Sequence, residues 1–214
     1  MQRYKVARLT VQRAIDLLRA EGLVIARQGA GWFVREKPAV IRLGPSRLSR
    51  SERAAGRGCS LSDGAVGGQT ISSETTVRFE TACERTATEL HVEPGDEVTV
   101  RSRVMYADEQ PVQLSVSRLP RSITRGTAIE RKNTGPGGSY ARLEEGGHTL
   151  ERFEERVTAR AATADEAETL RLDPGAPVLA ITRVAFEAGG EPVEVNDMVL
   201  AGDRYELLYD LPAD

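Results

Sequence analysis

Apolar residues near the amino terminus recur at the spacing of an α-helix. Val11, Ile15 and Leu18 fall on one side of residues 8–21, while arginine, glutamine and aspartate occupy the other side. This pattern predicts an amphipathic helix. Thr10 lies near its start, where a threonine can cap the free backbone N–H groups.

Two short apolar runs follow this helix, at residues 23–26 and 32–34. The residues between them are Arg27, Gln28, Gly29, Ala30 and Gly31, so the segment predicts a β-hairpin with a basic, glycine-rich tip. A helix followed by a basic hairpin is the second half of a winged helix-turn-helix, whose helix enters the major groove of DNA. An ordinary helix–hairpin unit has the same periodicity, and the pattern alone does not separate the two.

The carboxyl-terminal part contains an internal repeat. Residues 87–98 and 167–178 match in order at an offset of 80 residues, and both copies predict a short helix, a Pro-Gly turn and two strands. Thr81 precedes Glu84, and Thr163 precedes Glu166, at the three-residue spacing of a capping box. Two such units predict an α+β domain with a largely antiparallel sheet and approximate two-fold symmetry.

Residues 38–70 separate the basic hairpin from the repeat and are dense in glycine, serine and arginine. Their composition predicts a tether, compact only where a strand such as 40–43 finds a partner. We therefore divide the chain into residues 1–37, the tether 38–70, and residues 71–214.

Charge divides the chain in a similar way. Residues 1–57 hold 13 Lys and Arg against 4 Asp and Glu, whereas residues 58–214 hold 16 against 28, and the net charge is −3. A basic head on an acidic body makes the head the natural place for a polyanion such as nucleic acid. A solvated arginine-rich head is the alternative.

Several classes of protein are excluded at this stage. The chain has neither an apolar run long enough to cross a membrane nor a signal-peptide core, so we expect a cytoplasmic protein without membrane contacts. Two cysteines and two histidines supply too few ligands for zinc. We find no nucleophile motif and no His–carboxylate pair, and therefore expect no catalytic residues, no cofactor and no metal.

A glycine-rich segment, 133–138, precedes the run that begins with Ser139. Ser139 as a helix cap with free backbone N–H groups beside it could hold a carboxylate or phosphate. Most loops of this kind only start a helix.

Residues 6–24 and 27–34, VARLTVQRAIDLLRAEGLV and RQGAGWFV, resemble the recognition helix and wing of GntR-type bacterial regulators. The resemblance implies that Arg8 reads a base edge, that Thr10 lies near phosphates, and that Gly29 forms the wing tip. The remaining positions of the same DNA-binding motif are Gln12, Arg13, Arg27 and Gln28. Gln12 stands where the family carries arginine, which removes a phosphate contact that Arg13 can partly replace.

Family members carry further helices before this point, on which Val11, Ile15 and Leu18 would pack. We therefore expect the head, as written, to be partly unfolded or to bury this stripe elsewhere. A misassigned start or a truncated copy is the interpretation we favour over a functional variant.

Residues 103–120, 138–143, 170–178 and 192–205 resemble the UTRA effector-binding domain of the HutC branch of GntR regulators. This implies a fold similar to chorismate lyase, with a six-stranded, mainly antiparallel sheet, a ligand cleft and dimerisation. By resemblance, Arg103 and Ser139 bind the anionic group of an effector, and Glu194 accepts from its hydroxyls or amines.

Met105, Ser115 and Leu200 depart from an arginine, a carboxylate and a tyrosine of the family pattern. These departures argue against a sugar phosphate and favour a less polar or singly charged effector. The leading hypothesis is a homodimeric transcriptional repressor that binds double-stranded operator DNA under control of a small-molecule effector. The alternative is a truncated ligand-binding and dimerisation module without autonomous DNA binding. An enzyme is the third hypothesis, supported by fold resemblance alone.

Overall fold

The computed structural model describes residues 6–21, 23–27, 31–34, 41–43, 48, 49, 51 and 70–209. The chain divides into two compact units, Met1–Pro38 and Ala39–Asp214. Each is described by itself.

The first unit contains the predicted helix and hairpin. Helix α1 spans Arg8–Ala20, and strands β1 (Val24–Arg27) and β2 (Gly31–Val34) pair antiparallel. The predicted cap at Thr10 is wrong. Ala7 caps α1 in an extended conformation, without a side-chain hydrogen bond, and Thr10 lies inside the first turn, where its backbone N–H donates to the Ala7 carbonyl.

The apolar side chains of this unit are largely open to solvent. Leu9 is 63% exposed, Leu17 60% and Val34 80%, and none of the described side chains of α1 and the hairpin is buried. Of the predicted stripe, Val11 and Ile15 are half-buried, and Leu18 is 37% exposed.

The second unit is built on one six-stranded sheet. Its elements are β3 (Ile41–Leu43), β4 (Ile71–Thr81), α2 (Glu84–Leu90), β5 (Glu97–Ala107), β6 (Gln110–Pro120), α3 (Arg121–Thr124), a 3₁₀ helix (Ala128–Glu130), α4 (Gly138–Glu145), β7 (Leu150–Ala161), α5 (Ala164–Leu170), β8 (Pro177–Glu187), β9 (Pro192–Ala201) and β10 (Tyr205–Leu207). The sheet order is β4-β5-β6-β9-β8-β7, and every neighbouring pair is antiparallel. The expected α+β fold is confirmed.

The internal repeat appears as two equal halves of this sheet. The β4-α2-β5-β6 half and the β7-α5-β8-β9 half meet where β6 pairs with β9, so a pseudo-two-fold axis passes between those strands. The helices cross over, since α2 contacts β9 and α5 contacts β6. Each half therefore covers the central strand of the other.

The two helices begin differently. Thr163 accepts from the Glu166 backbone N–H while the Glu166 side chain accepts from the Thr163 N–H, which confirms the predicted capping box on α5. The prediction for α2 is wrong. Thr81 pairs with Glu97 as the last residue of β4, and Cys83 caps α2 without a side-chain hydrogen bond to the backbone.

Apolar clusters lie on both faces of the sheet. One cluster joins Ala87 and Leu90 of α2 to Val98 and Val100 of β5. Because side chains alternate along a strand, Thr99, Arg101 and Arg103 point to the opposite face. Two further clusters lie on that face: one around Met105, Ile181 and Met198, and one in which Tyr140 and Leu143 of α4 pack on Leu119 and Ala185.

Part of the segment predicted as a tether belongs to the second unit. Strand β3 pairs in parallel with β10, so the strand near residues 40–43 has a partner. Leu48, only 8% exposed, packs in the same cluster as Leu119 and Ile129.

Candidate functional site

A band of polar side chains crosses the sheet between the two apolar clusters of the α4 face. On β6, Ser115 and Ser117 precede buried Leu119, and on β8 Arg183 lies between Ile181 and Ala185. We call this set the polar band, and its members are Arg101, Arg103, Ser115, Ser117, Asn196, Arg183 and Glu155. Strand pairing aligns them across four neighbouring strands and onto β7.

Arg103, predicted to bind an anion, is held by neutral partners. Its Nη2 donates to Ser115 Oγ at 3.1 Å and to Ser117 Oγ at 2.9 Å, and Ser115 Oγ donates to Asn196 Oδ1 at 2.8 Å. Its Nε is buried without an acceptor among the described residues. The two serines thus fix the orientation of the guanidinium, and its Nε–H is still able to donate to a ligand.

Arg101 was missed as a site residue by sequence reasoning. It is only 3% exposed, and its guanidinium donates to the backbone carbonyls of Ile129, Arg131 at 2.5 Å and Lys132 at 3.1 Å. Burial and the neighbouring charge of Arg103 lower the pKa of Arg101 to about 10, although the negative charge of Glu194 acts to raise it. Its spacing of two residues from Arg103 on a strand was the signal that could have placed both on one face.

Glu194, the predicted carboxylate, lies in the same region. It is 2% exposed, and its Oε2 has no donor among the described residues. Within the described part of the chain, neither Arg101 nor Arg103 reaches a carboxylate at ion-pair distance. Buried polar atoms left without partners cost about 1–3 kcal/mol each, so this arrangement favours a bound polar ligand.

Within the described part of the chain, Arg183, unlike Arg101 and Arg103, lies at ion-pair distance from a carboxylate. Its Nε and Nη2 both lie 2.7 Å from Glu155 Oε1, and the two side chains are only 5% and 15% exposed. Of the three arginines of the polar band, Arg183 is thus the one that lies at ion-pair distance from a carboxylate among the described residues.

The predicted role of Ser139 as a helix cap is wrong. Gly137, at φ 77°, caps α4 because the chain there adopts a left-handed turn that glycine tolerates, and Ser139 becomes the second helical residue. Ser139 is half-buried, and the hydrogen bonds found among the described residues do not join it to Arg103 or Glu194. Arg101 connects the sheet to the loop that leads into this helix.

A cavity of about 450 Å³ opens near the β7 end of the polar band. Leu48, Ser49, Phe153, Glu155 and Tyr209 line it. Its volume lies in the range of small-molecule sites.

The predicted DNA-contacting residues of α1 are exposed. Arg8, Thr10, Gln12 and Arg13 all lie in this helix, and Gln12 Nε2 donates to Asp16 Oδ1 at 3.3 Å. Arg27 ends β1. Gln28 and Gly29 lie outside the described residues.

Neither a metal cluster nor a membrane-spanning helix is found among the described residues. They contain no group of three or more His, Cys, Asp or Glu side chains arranged for a metal ion. Within the same part of the chain, no helix has both the length and the apolar character needed to cross a membrane.

Comparison with known proteins gives two family matches. Residues 67–206 match the UTRA domain, and residues 1–34 match the bacterial regulatory proteins of the gntR family. An uncharacterized HTH-type transcriptional regulator of Streptomyces coelicolor is 31% identical over 208 residues, which cover 94% of this chain and 77% of the relative.

Two more distant likenesses agree with these matches. A protein of Escherichia coli K12 named "Probable fructoselysine utilization operon transcriptional repressor" is 27% identical over 97% of this chain and 80% of its own length. The crystal structure of PhnF from Mycobacterium smegmatis superposes with a TM-score of 0.65 at 23% identity, over 100% of this chain and 88% of that one, and it shows the fold.

Proposed function

Because the chain belongs to the GntR family of bacterial regulatory proteins and carries the UTRA domain, it is a ligand-controlled transcriptional regulator, and we propose that it is a homodimeric repressor. In this proposal a small, singly charged anion binds the polar band at Arg103 and releases the protein from double-stranded operator DNA in the cytoplasm. The relative named as a probable repressor of a fructoselysine utilization operon supports repression.

One observation carries the effector assignment: three polar atoms in one region are buried without partners among the described residues. They are the Nε atoms of Arg101 and Arg103 and Oε2 of Glu194. Two are donors and one is an acceptor, so a ligand with an anionic group and a hydroxyl or amine would satisfy them. We assign the anion to Arg103, the donor of the effector to Glu194, and a supporting contact to Ser139.

Arg101 has a different role in this proposal. Its Nη1 and Nη2 donate to the carbonyls of Ile129, Arg131 and Lys132, in the loop before α4, while its Nε has no acceptor among the described residues. Arg101 therefore positions that loop, and it adds positive charge and one donor beside Arg103. An anion that neutralises this charge would stabilise the loop in one arrangement.

DNA recognition is assigned to α1 and the hairpin. Arg8, Gln12 and Arg13 are exposed on one short helix, and Arg27 lies where the hairpin turns. Arginine suits bidentate contacts to guanine and phosphate. Occupation of the effector cleft would bias the spacing of the two DNA-reading heads of a dimer, which is a population shift between two states.

The DNA-binding part is tested with the full chain on a random duplex pool. Sequences that are retained are amplified, and affinity for the selected duplex is measured by fluorescence anisotropy at stated salt. Arg8→Ala should weaken binding by about 1–3 kcal/mol, the range for loss of a base contact. Arg78→Ala removes an exposed charge of the body and serves as the control. Failure to select any sequence would favour the ligand-binding module without DNA binding.

The effector part is tested by thermal melting against a library of small carboxylates, sugar acids and sugar phosphates. A singly charged compound should raise the melting temperature of the wild-type protein and leave Arg103→Met unchanged. Preference for a doubly charged phosphate, or equal response of the two proteins, would contradict the assignment.

A further inference from the structure

The pseudo-two-fold axis makes Arg103 and Arg183 equivalent positions, at the offset of 80 residues that defines the repeat. Strand pairing then sets Thr75 directly opposite Arg103, and Glu155 directly opposite Arg183. Thr75 and Glu155 are themselves 80 residues apart. The two halves therefore present the same arginine with a neutral neighbour in one case and a carboxylate in the other.

Glu155 neutralises the charge of Arg183 within the fold. Two guanidinium nitrogens lie 2.7 Å from one carboxylate oxygen, and both side chains are largely shielded from water. A charge-assisted pair of this kind is already satisfied. An external anion would have to displace a carboxylate that the backbone holds in place.

Thr75 cannot neutralise the charge of Arg103 in the way that Glu155 neutralises that of Arg183. The threonine is half-buried and uncharged, and the acceptors of Arg103 are the hydroxyl groups of Ser115 and Ser117. Hydroxyl groups orient a guanidinium without neutralising it. Burial and the charge of Arg103 lower the pKa of Arg101, and this second guanidinium beside Arg103 makes the region more positive still.

We propose that the residue opposite each arginine decides where the effector anion binds: Thr75 leaves Arg103 open to a singly charged carboxylate-like group, and Glu155 closes the equivalent place at Arg183. This rests on the proposed function, because it names the group that selects the anion site. It makes Thr75 a specificity-determining position although it belongs to no DNA-binding or effector motif. Discrimination through a group that excludes the ligand is a common device in recognition.

The first experiment locates an anion directly. Crystals of the full chain are soaked in bromide, and anomalous scattering is collected for the wild type, Thr75→Glu and Glu155→Gln. The wild type should show bromide at the Arg103 guanidinium and none at Arg183. Thr75→Glu should lose the Arg103 peak, and Glu155→Gln, which keeps an amide oxygen for Arg183, should gain a peak there.

The second experiment measures the same competition in solution. The affinity for acetate is taken from the rise in melting temperature at constant ionic strength. Thr75→Glu should weaken acetate binding by about tenfold or more, a difference that corresponds to about 1.4 kcal/mol. Circular dichroism confirms that each variant is folded.

Two matched controls separate charge from size and position. Thr75→Gln adds the bulk of the new side chain without its charge. Thr76→Glu adds the charge on the same strand at an exposed position, on the other face of the sheet. Both should bind acetate within about twofold of the wild type, since neither puts a carboxylate beside Arg103.

The outcomes distinguish this inference from the proposed function. If Thr75→Glu binds acetate as Thr75→Gln does, the inference is overturned while Arg103 remains an anion site. If the wild type holds no bromide at Arg103, the proposed anion site fails, and the claim that Thr75 leaves Arg103 open fails with it. The Glu155→Gln crystals test the other half of the inference, because a new peak at Arg183 supports the role of Glu155 and its absence overturns that role.

Discussion

The two halves of the sheet share one backbone plan and differ in how their polar groups are completed. In the second half, Arg183 has Glu155, and Thr163 caps its helix. In the first half, the acceptors of Arg103 among the described residues are hydroxyl groups, and Cys83 leaves its helix without a side-chain cap. The second half pairs its arginine with a carboxylate of the fold, whereas the first half leaves Nε of Arg103 without an acceptor among the described residues, and this is where we propose that the effector binds.

The largest expected effect comes from breaking the Arg183–Glu155 pair. Glu155→Gln leaves a buried guanidinium without its carboxylate and should lower the free energy of unfolding by about 3 kcal/mol. Urea denaturation monitored by circular dichroism measures it. Glu154→Gln, at a neighbouring position that is 54% exposed, should change stability by less than about 0.5 kcal/mol. Equal losses for the two variants would show that the pair adds nothing.

The next effect concerns Asp197, which ties the second half to the first. Its carboxylate accepts from Arg85 at 2.6 Å, from Arg118 at 3.0 Å and from Thr182 at 2.9 Å. Asp197→Asn should lower the free energy of unfolding by about 2 kcal/mol near neutral pH, because charge-assisted hydrogen bonds become neutral ones.

The same variant carries a pH dependence. Burial opposes ionisation of Asp197, but the hydrogen bonds from Arg85 and Thr182 outweigh it and hold its pKa below the ordinary value of 3.8. Its stabilising contribution is therefore complete above pH 3.8 and is lost as the pH falls through the lowered pKa. Urea titrations from neutral to acid pH should show the wild type and Asp197→Asn converging. A constant gap would contradict this account.

A smaller effect separates the two helix starts. Thr163→Ala removes the capping box of α5 and should cost about 1 kcal/mol. Cys83→Ala at the equivalent start of α2 should cost less than about 0.5 kcal/mol, because no side-chain cap is lost. Thermal melting of the two variants side by side measures the difference, and a larger loss for Cys83→Ala would reverse the comparison.

The smallest stability change is expected at Arg103. Arg103→Met keeps the volume of the side chain and leaves no carboxylate behind, so the free energy of unfolding should move by less than about 1 kcal/mol. The same urea series used for Glu155→Gln provides the contrast. A loss as large as that of Glu155→Gln would mean that Arg103 is as structural as its counterpart.

Much of the fold could be predicted because the repeat is written in the sequence. The Pro-Gly turns at 94–95 and 174–175 fix where each helix stops and each strand begins, and equal spacing implies equal halves. Cap positions were predicted less well. Thr81 does not cap α2 because it is the last residue of β4 and pairs with Glu97. Ser139 does not cap α4 because the left-handed turn makes Gly137 the cap.

The sequence named some residues of the candidate site and not others, and their roles in binding stay predictions. The arginine at 103 and the carboxylate at 194 were named from resemblance, whereas Arg101 was not, because its partners are backbone carbonyls far along the chain. Those acceptors cannot be identified from the sequence, and the two-residue spacing from Arg103 indicates only that the two arginines share a face of the strand. The contrast between Thr75 and Glu155 likewise becomes visible only when strand pairing sets each opposite its arginine.

The most direct test of the account is a crystal structure of the full chain with a compound that raises its melting temperature. We expect the anionic group of that compound at the Arg103 guanidinium and one of its donors on Oε2 of Glu194, with the Arg183–Glu155 pair intact. A compound bound elsewhere, with those atoms still lacking partners, would contradict the assignment of Arg103 and Glu194 to the effector site.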